Sequence, residues 1–280
     1  MSIPYRSRPR SGPRLYTCFA LLKKREILPI SSPGQSRQPE RQLQRLDNAP
    51  LRTLCIDIGG TGIKMIVLDP LGEPVNERAR ELTPKPAVPH AVLGVIRSMV
   101  KDQPQFDRVS VGFPGVVRHG ITITAPNLSP DWANHDLRRD IEAITGAPTR
   151  VLNDADLQGY GVIDGKGVEM VLTLGTGLGA ALYLNGHLVP NLELGHHPFQ
   201  KDKTYEERVR DAELKEHGKQ KWSKRVGEMI EMLSAIFNYD RLFIGGGNAE
   251  HIKIDLPANV TLFGNVDGMS GGIRLWDDEG

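Results

Sequence analysis

The amino-acid sequence predicts an α/β protein made of two related halves with a cleft between them. This prediction rests on a unit of strand, glycine-rich turn and strand that occurs twice in the sequence. A glycine-rich turn follows a strand-like apolar run at residues 55–64, and again at residues 172–180, roughly 115 residues further along the chain. Each turn is followed by a second strand-like run, and further strand-like and helix-like segments follow both copies.

The two glycine-rich turns also carry the strongest functional signal. Glycine allows the backbone N–H groups of a turn to come close to an anion, and successive N–H groups form a concave anion-binding site. Asp57 lies in the first turn, and the pair Asn153-Asp154 lies between the two turns in the sequence. The pattern therefore predicts a cleft that holds a phosphate chain from both sides.

Composition and charge limit the classes of function. The chain has 280 residues, of which 39% are hydrophobic and 25% charged, as is usual for one large or two medium globular domains. Residues 1–50 carry a net charge of about +7, which leaves about −6 for the remainder and argues against nucleic-acid binding. The two cysteines, Cys18 and Cys55, argue against a disulfide framework and favour a cytoplasmic location. The sequence lacks an apolar run of the roughly 18 residues that span a membrane.

The first fifty residues differ from the rest of the chain. They are rich in Arg, Ser, Pro and Gln and show no sustained hydrophobic periodicity. We expect residues 1–50 to be a disordered or mis-assigned N-terminal extension. A targeting segment is the alternative, because an Arg-rich, acid-poor composition is typical of organelle transit peptides.

Hydrophobic periodicity predicts the elements of each half. In the first half we expect strands at residues 53–60, 63–69, 108–113 and 148–152, and helices at 90–100, 137–144 and 155–162. In the second half we expect strands at 169–174, 181–184 and 240–244, a hairpin turn at Asn185-Gly186, and helices at 204–210 and 222–236. A last helix at 269–276 is weakened by its two glycines.

The second turn also matches a competing pattern. Gly175, Gly177 and Ala180 fit a dinucleotide-binding fingerprint, and Glu193 lies at a suitable distance. That fingerprint requires a helix directly after the turn, whereas residues 180–186 are typical of a strand and hairpin. Neither turn has the Gly-Lys-Ser/Thr ending of a P-loop. Both nucleotide-binding alternatives are therefore disfavoured.

The ordered set of motifs resembles a known superfamily. Residues 57–64, 174–179 and 245–248 resemble the two phosphate motifs and the adenosine motif of the sugar kinase/actin/Hsp70 fold. Within that fold, the motifs resemble the ROK family (repressors, open reading frames, kinases) and its polyphosphate/ATP glucokinase branch. This closer resemblance lies in residues 112–115, 126–128, 153–156 and 193–196. It implies two ribonuclease H-like (actin-like ATPase) domains, residues 51–152 and 153–280, with an interdomain cleft.

The resemblance also implies an activity. It implies phosphorylation of glucose at O6 to glucose 6-phosphate, with Mg²⁺ and with polyphosphate and/or ATP as donor, by a homodimeric enzyme. A kinase for another hexose (mannose, N-acetylmannosamine or fructose) is an alternative. A non-catalytic sugar sensor is a further one, disfavoured because Asp154 and both glycine turns are present. Residues 197–199 are His-Pro-Phe where most ROK proteins have a cysteine-rich zinc motif, so no zinc is expected, and the absence of a helix-turn-helix pattern disfavours a repressor.

The same resemblance assigns roles to individual residues. Asp154 would be the general base for the sugar hydroxyl, although an Asn-Asp pair can also simply cap a helix. Asp57 would position Mg²⁺, with a purely structural Asp as the alternative. For Asp156, the charge of a helix start is favoured over a ligand contact.

Further residues would bind the two substrates. The sugar hydroxyls would be bound by Asn127, Asn153, Glu193 and His196. The spacing of Glu193 and His196 also fits a helical metal pair, which Pro190 and Gly195 disfavour. The phosphate donor would be bound by Gly59, Gly60, Thr61, Gly62, Lys64, Gly175, Thr176, Gly177, Gly245, Gly246 and Gly247.

Overall fold

The structure is a computed structural model that describes residues 51–264 and 267–277. The described residues all belong to one compact unit. The predicted N-terminal extension, residues 1–50, lies outside the described residues.

The strands and helices that the sequence predicts occur in the described chain in the predicted order, with further short strands between them. The strands are β1 (Thr53–Ile58), β2 (Gly62–Leu68), β3 (Ala79–Leu82), β4 (Arg108–Phe113), β5 (Val117–Arg118), β6 (Ile121–Thr122), β7 (His135–Asp136), β8 (Thr149–Asn153), β9 (Val168–Leu174), β10 (Leu178–Leu184), β11 (His187–Val189), β12 (Pro198–Gln200), β13 (Lys203–Thr204), β14 (Arg241–Gly245) and β15 (Val260–Leu262). The α-helices are α1 (Pro89–Val100), α2 (Leu137–Thr145), α3 (Asp154–Tyr160), α4 (Tyr205–Val209), α5 (Asp211–Phe237) and α6 (Asp267–Arg274). Short 3-10 turns lie at Pro130–Trp132, Leu194–His196 and Ala249–His251.

Two five-stranded sheets form the two halves, and they share one topology. The first has the order β3-β2-β1-β4-β8 and the second β11-β10-β9-β14-β15. In both, three consecutive antiparallel strands continue into two parallel ones. The repeated strand–glycine turn–strand unit is the β1–β2 hairpin in the first sheet and the β9–β10 hairpin in the second. The predicted α/β fold of two related halves is therefore confirmed.

Each half has its own apolar core. A strand that is buried on both faces has a nearly continuous run of apolar residues in its sequence. Strands β1 and β9 are buried on both faces and have such runs. In the first half, side chains of β1, β2 and β4 pack with those of α1 and α2, and Trp132 is fully buried among them. In the second half, side chains of β9 and β14 pack with those of α5, including Trp222.

The structure differs from the sequence predictions at several elements. The edge strand β3 and the three-stranded sheet of β5, β6 and β7 were not predicted, because two to four residues are too short to show alternation. Helix α5 begins at Asp211 rather than at residue 222, and it is interrupted by a non-helical Gly218. Its first turns are polar, so they carry little apolar periodicity.

The C-terminal helix α6 connects the two halves. It packs against α3 and against β1 and β4 of the first sheet. A Cβ on Gly271 would overlap the Leu157 carbonyl, and a Cβ on Gly272 would overlap the Cys55 sulfur, so the two glycines permit this close approach. The proposed boundary between residues 51–152 and 153–280 remains a prediction, and α6 crosses back from the second segment to the first. None of the described helices is long and apolar enough to cross a bilayer.

Candidate active site

One cavity of about 470 Å³ lies where the two glycine turns face each other. The β1–β2 turn and the β9–β10 turn both contribute to its wall, and the start of α3 lies between them. Most of the predicted site residues line it, namely Gly59, Gly60, Thr61, Asn127, Asn153, Asp154, Gly175, Thr176, Gly177, Glu193, His196 and Gly246. The remaining predicted residues, Asp57, Gly62, Lys64, Gly245 and Gly247, are not part of the cavity wall.

Asp154 is the first residue of α3 and is partly buried in this cavity. The pKa of its carboxyl is raised to about 7, chiefly by burial and then by the negative charges of Asp57 and Glu193, while the Ala155 N–H opposes the shift. That N–H donates to Asp154 Oδ1 over 2.9 Å. A carboxyl that changes its protonation state near pH 7 is suited to act as a general base.

Asn153 ends strand β8 and caps helix α3. Its Oδ1 accepts hydrogen bonds from the N–H groups of Ala155 (2.8 Å) and Asp156 (3.2 Å). Its Nδ2 donates over 3.2 Å to the carbonyl of Gly115, which follows the neighbouring strand β4 and also lines the cavity. Asn153 therefore caps the helix, as the alternative for an Asn-Asp pair predicts, while Asp154 also lines the cavity.

Glu193 and His196 form a polar pair on the second wall of the cavity. Glu193 Oε2 and His196 Nε2 are 3.4 Å apart. Burial raises the pKa of Glu193, His196 lowers it, and the neighbouring charge of Glu206 raises it. The segment between them is a single 3-10 turn rather than an α-helix, which does not fit the alternative of a helical metal pair.

Both glycine turns present free backbone donors to the cavity. The Gly59 N–H donates to the Gly62 carbonyl, and the Gly175 N–H donates to the Gly177 carbonyl, each over 3.0 Å. Two residues of each turn have N–H groups that donate to none of the described residues. They are Gly60 and Thr61 in the first turn and Thr176 and Gly177 in the second. Free N–H groups on two sides of one cavity can hold the oxygens of an extended anion.

Side chains from neighbouring elements brace the turns. Thr83, directly after β3, donates from its hydroxyl to the Gly59 carbonyl over 2.5 Å and from its N–H to the Thr61 carbonyl over 3.4 Å. Asn248 Nδ2 donates to the Gly175 carbonyl over 3.3 Å. The edge strand β3 and the loop after β14 therefore fix the positions of the two turns.

Asp57 and Lys64 lie beside the cavity as a pair. Lys64 Nζ donates to Asp57 Oδ2 over 2.7 Å, and both side chains are partly buried. After burial, the negative charge of Asp57 is the largest cause of the raised pKa of Asp154, because two nearby carboxylates repel each other. Carboxylate oxygens are suitable ligands for Mg²⁺, which would relieve this repulsion, so the residues present fit such an ion.

The third glycine cluster reaches the cavity at one residue. Gly246 lines the wall with a φ of +86°, and a Cβ there would overlap the Leu174 backbone, so this position requires glycine. A Cβ on Gly245 would overlap the ring of Phe263, which indicates close packing. Gly247 has open space around it.

The structure adds a cavity residue that sequence reasoning missed. Glu206, on α4, accepts a hydrogen bond from the Leu178 N–H at 3.0 Å and lines the cavity beside Gly177. A Cβ on Gly177 would overlap Glu206 Oε2, so the carboxylate lies against the second glycine turn. The only local signal is the capping box of Thr204 and Glu207, which marks a helix start but not a functional carboxylate.

Two sheets of one topology that each contribute a glycine turn to a shared cleft define the actin-like ATPase fold, which sugar kinases use. A comparison with family models agrees with this class. The chain belongs to the ROK family, whose model matches residues 53–205.

Similar proteins support the same relationship. The polyphosphate glucokinase of Mycobacterium tuberculosis is 38% identical over 202 residues, which cover 69% of this chain and 76% of that protein. The crystal structure of an inorganic polyphosphate/ATP-glucomannokinase from Arthrobacter sp. strain KM is 30% identical, with a TM-score of 0.72, and the match covers 82% of this chain and 100% of that one. A ROK family glucokinase from Streptomyces griseus, crystallised with glucose and AMPPNP, shares the fold at 19% identity, with a TM-score of 0.67 and coverage of 80% and 98%.

Proposed function

We propose that this protein is a hexose kinase that transfers a phosphoryl group from inorganic polyphosphate or ATP to O6 of glucose. The observation that carries the proposal is that residues of both glycine turns, with N–H groups that donate to no other described residue, and Asp154 line one cavity. The relatives named polyphosphate glucokinase and glucomannokinase support the same substrates.

The sugar would bind between the two walls of the cavity. Asn127, Asn153, Glu193 and His196 offer both donors and acceptors, which sugar hydroxyls require. A site that bonds particular hydroxyls rejects epimers, because a missing partner leaves buried polar groups unpaired. The name of the Arthrobacter neighbour favours mannose as a second substrate.

Asp154 would act as the general base. The proton of the sugar 6-hydroxyl passes to the Asp154 carboxylate, and the oxygen forms a bond to the terminal phosphorus of the donor. The bond from that phosphorus to its bridging oxygen breaks, and ADP or a shortened polyphosphate leaves. The product is glucose 6-phosphate.

The phosphate donor would lie along the two glycine turns. The free N–H groups of Gly60, Thr61, Thr176 and Gly177 would hold its oxygens, and Lys64 would supply a positive charge. We propose the segment Gly245, Gly246 and Gly247 as the place where the adenine of ATP packs against backbone. Gly62 would permit the tight first turn.

Mg²⁺ would be held beside the donor through Asp57. When bound, the ion would neutralise negative charge on the donor phosphates. No zinc requirement is proposed, because His196 is followed by His-Pro-Phe rather than by cysteines. A homodimer in the cytoplasm, with no nucleic-acid or membrane partner, remains a prediction.

A coupled assay over a panel of hexoses tests the proposal. Glucose, mannose, N-acetylmannosamine and fructose are each offered with ATP and with polyphosphate. We expect turnover with glucose and at least one donor. Turnover of a different hexose alone would support the alternative kinase, and sugar binding without turnover by the wild-type protein would support a sensor.

A further inference from the structure

Asp156 is a buried carboxylic acid beside the candidate active site. It lies in the first turn of α3, two residues after Asp154, and is only 1% exposed. A charge that complements a helix start typically lies at the surface, and Asp is almost never fully buried unless it is paired. Burial of this side chain therefore indicates a further role, and its raised pKa of about 7 reflects that burial.

The carboxyl of Asp156 contacts the loop that leads to the predicted sugar-binding residues. Its Oδ2 accepts a hydrogen bond from the Asn191 N–H over 3.1 Å. Its own carbonyl accepts a hydrogen bond from the hydroxyl of the buried Tyr183, which fixes the first turn of α3 from β10. The loop is thus attached to the same helical turn that carries Asp154.

Asn191 extends this attachment to the other half of the molecule. Its Oδ1 accepts from the Val117 N–H and its Nδ2 donates to the Val117 carbonyl, both over 2.9 Å. Its backbone has a φ of +58°, a conformation that asparagine tolerates better than most residues. Asp156 and Asn191 therefore join three segments, α3, the loop before Glu193, and strand β5.

These three segments form the sugar side of the cavity. Asn191 precedes the cavity residues Leu192 and Glu193, and Val117 follows the cavity residue Gly115. A shift of Asn191 would carry Glu193 with it, whereas the glycine turns are braced separately by Thr83 and Asn248. The link therefore acts on one wall of the cavity only.

We propose that Asp156 is a positioning residue which, through Asn191, holds Glu193 and the sugar-binding loop in register with Asp154. The inference rests on the proposed function, because it assigns the loop to sugar binding. The proposal predicts different effects on the two substrates. Loss of the hydrogen bond between Asp156 and Asn191 weakens sugar binding and leaves donor binding intact.

Asp156→Ala and Asp156→Asn test this role as a pair. We expect Asp156→Ala to raise the KM for glucose at least tenfold, with the KM for the donor within twofold of the wild type. Asp156→Asn keeps an acceptor oxygen for the Asn191 N–H. The other oxygen of Asp156, Oδ1, has no hydrogen-bond partner among the described residues. The link therefore requires the acceptor oxygen of residue 156 but not its negative charge. We expect the KM of Asp156→Asn for glucose to be within threefold of the wild-type value.

Asn191→Gly supplies a second route to the same test. Glycine tolerates the positive φ but loses both bonds to Val117. If the two residues act through one link, the double variant Asp156→Ala/Asn191→Gly has a KM for glucose no more than about twice that of the worse single variant. Multiplicative effects of the two changes would contradict the proposal.

Glu169→Gln is the matched structural control. Glu169 is another fully buried carboxylate that holds a loop, accepting hydrogen bonds from the N–H groups of Asp164 and Gly165 (2.7 Å each) and of Lys166 (3.0 Å). It lies at the end of β9 away from the Gly175 turn. We expect a lower Tm with an unchanged KM for glucose.

Hydrogen exchange separates this proposal from the assignment of the substrate. In Asp156→Ala and in Asn191→Gly, amides of residues 191–196 and 116–118 should exchange faster, while those of residues 59–62 should not change. A wild-type protein that turns over no hexose would overturn the proposed function but leave this exchange test in place. Unchanged exchange at 191–196, or an unchanged KM for glucose in a folded variant with active wild type, would overturn the positioning role.

Discussion

The ammonium group of Lys64 donates a 2.7 Å hydrogen bond to the carboxylate of Asp57, directly across the hairpin that ends in the first glycine turn. The resemblance to the ROK family implies different partners for these residues, Mg²⁺ for Asp57 and phosphate for Lys64. In the structure they form an ion pair near Asp154, whose pKa is raised chiefly by burial and then by the charge of Asp57. Under the proposed function, the pair would link donor binding to the ionisation of Asp154.

Replacement of Lys64 should affect both properties. In Lys64→Gln we expect a higher KM for ATP and for polyphosphate, by about tenfold, because one charge-assisted contact is lost. The uncompensated Asp57 should also shift the activity profile to higher pH. Steady-state kinetics from pH 5 to 9 measure both effects. Lys101→Gln, an exposed lysine just after α1, is the control and should change neither.

The pKa of Asp154 predicts the pH dependence of the wild-type enzyme. A general base must be deprotonated, so kcat/KM for glucose should rise as the pH increases towards about 7 and level off above it. Mg²⁺ bound near Asp57 would lower the inflection, because a cation favours the ionised carboxylate. Profiles at low and saturating Mg²⁺ measure this. An inflection that is unaffected by Asp154→Asn would show that another group titrates.

The second glycine turn should be intolerant of a side chain. In Gly177→Ala the new Cβ would overlap the Glu206 carboxylate, which would have to leave its hydrogen bond to the Leu178 N–H, so we expect the turn to lose this support and the KM for the donor to rise about tenfold. Gly94→Ala, in the middle of α1 with open space around it, is the matched control. It should raise the free energy of unfolding by about 0.5–1 kcal/mol without affecting the KM. If Gly177→Ala and Gly94→Ala had the same KM for the donor, the assignment of the second turn to the donor site would be wrong.

The stability of the protein should also respond to pH at Asp154. Its pKa is higher in the folded state than the ordinary value of 3.8, so the favourable contribution present below that value is lost as the pH rises through about 7. Asp154→Asn removes this loss. We therefore expect the variant to be more stable than the wild type at pH 8 and to show a smaller difference at pH 4. Thermal unfolding of both proteins at pH 4 and pH 8 measures the effect. A larger stabilisation by Asp154→Asn at pH 4 than at pH 8 would contradict the raised pKa of Asp154.

Much of the fold could be predicted because its strands are buried and their apolar runs are long. Strand β4 was predicted at its observed bounds, and the two hairpins were predicted from the glycine turns between apolar runs. Edge strand β3 and the start of α5 were missed, since Leu82 is exposed and the first turns of α5 are polar. These elements are specified by tertiary contacts rather than by local pattern.

The candidate site was predictable where a residue type is chemically distinctive, and not where a role depends on a distant contact. Asp154 and the glycine turns stand out in the sequence. The partner of Asp156 is Asn191, which is 35 residues away, and Glu206 reaches the cavity from a helix after the loop proposed to bind the sugar. No spacing in the sequence indicates either contact.

The most direct test of the central claim compares wild type with Asp154→Asn. Formation of glucose 6-phosphate is measured with ATP and with polyphosphate, and glucose binding is measured by calorimetry on the same samples. We expect the variant to lose at least about 10²-fold in kcat while its Kd for glucose stays within a few-fold of the wild type. Near-normal turnover in Asp154→Asn would contradict the account, because the cavity would then hold a different base.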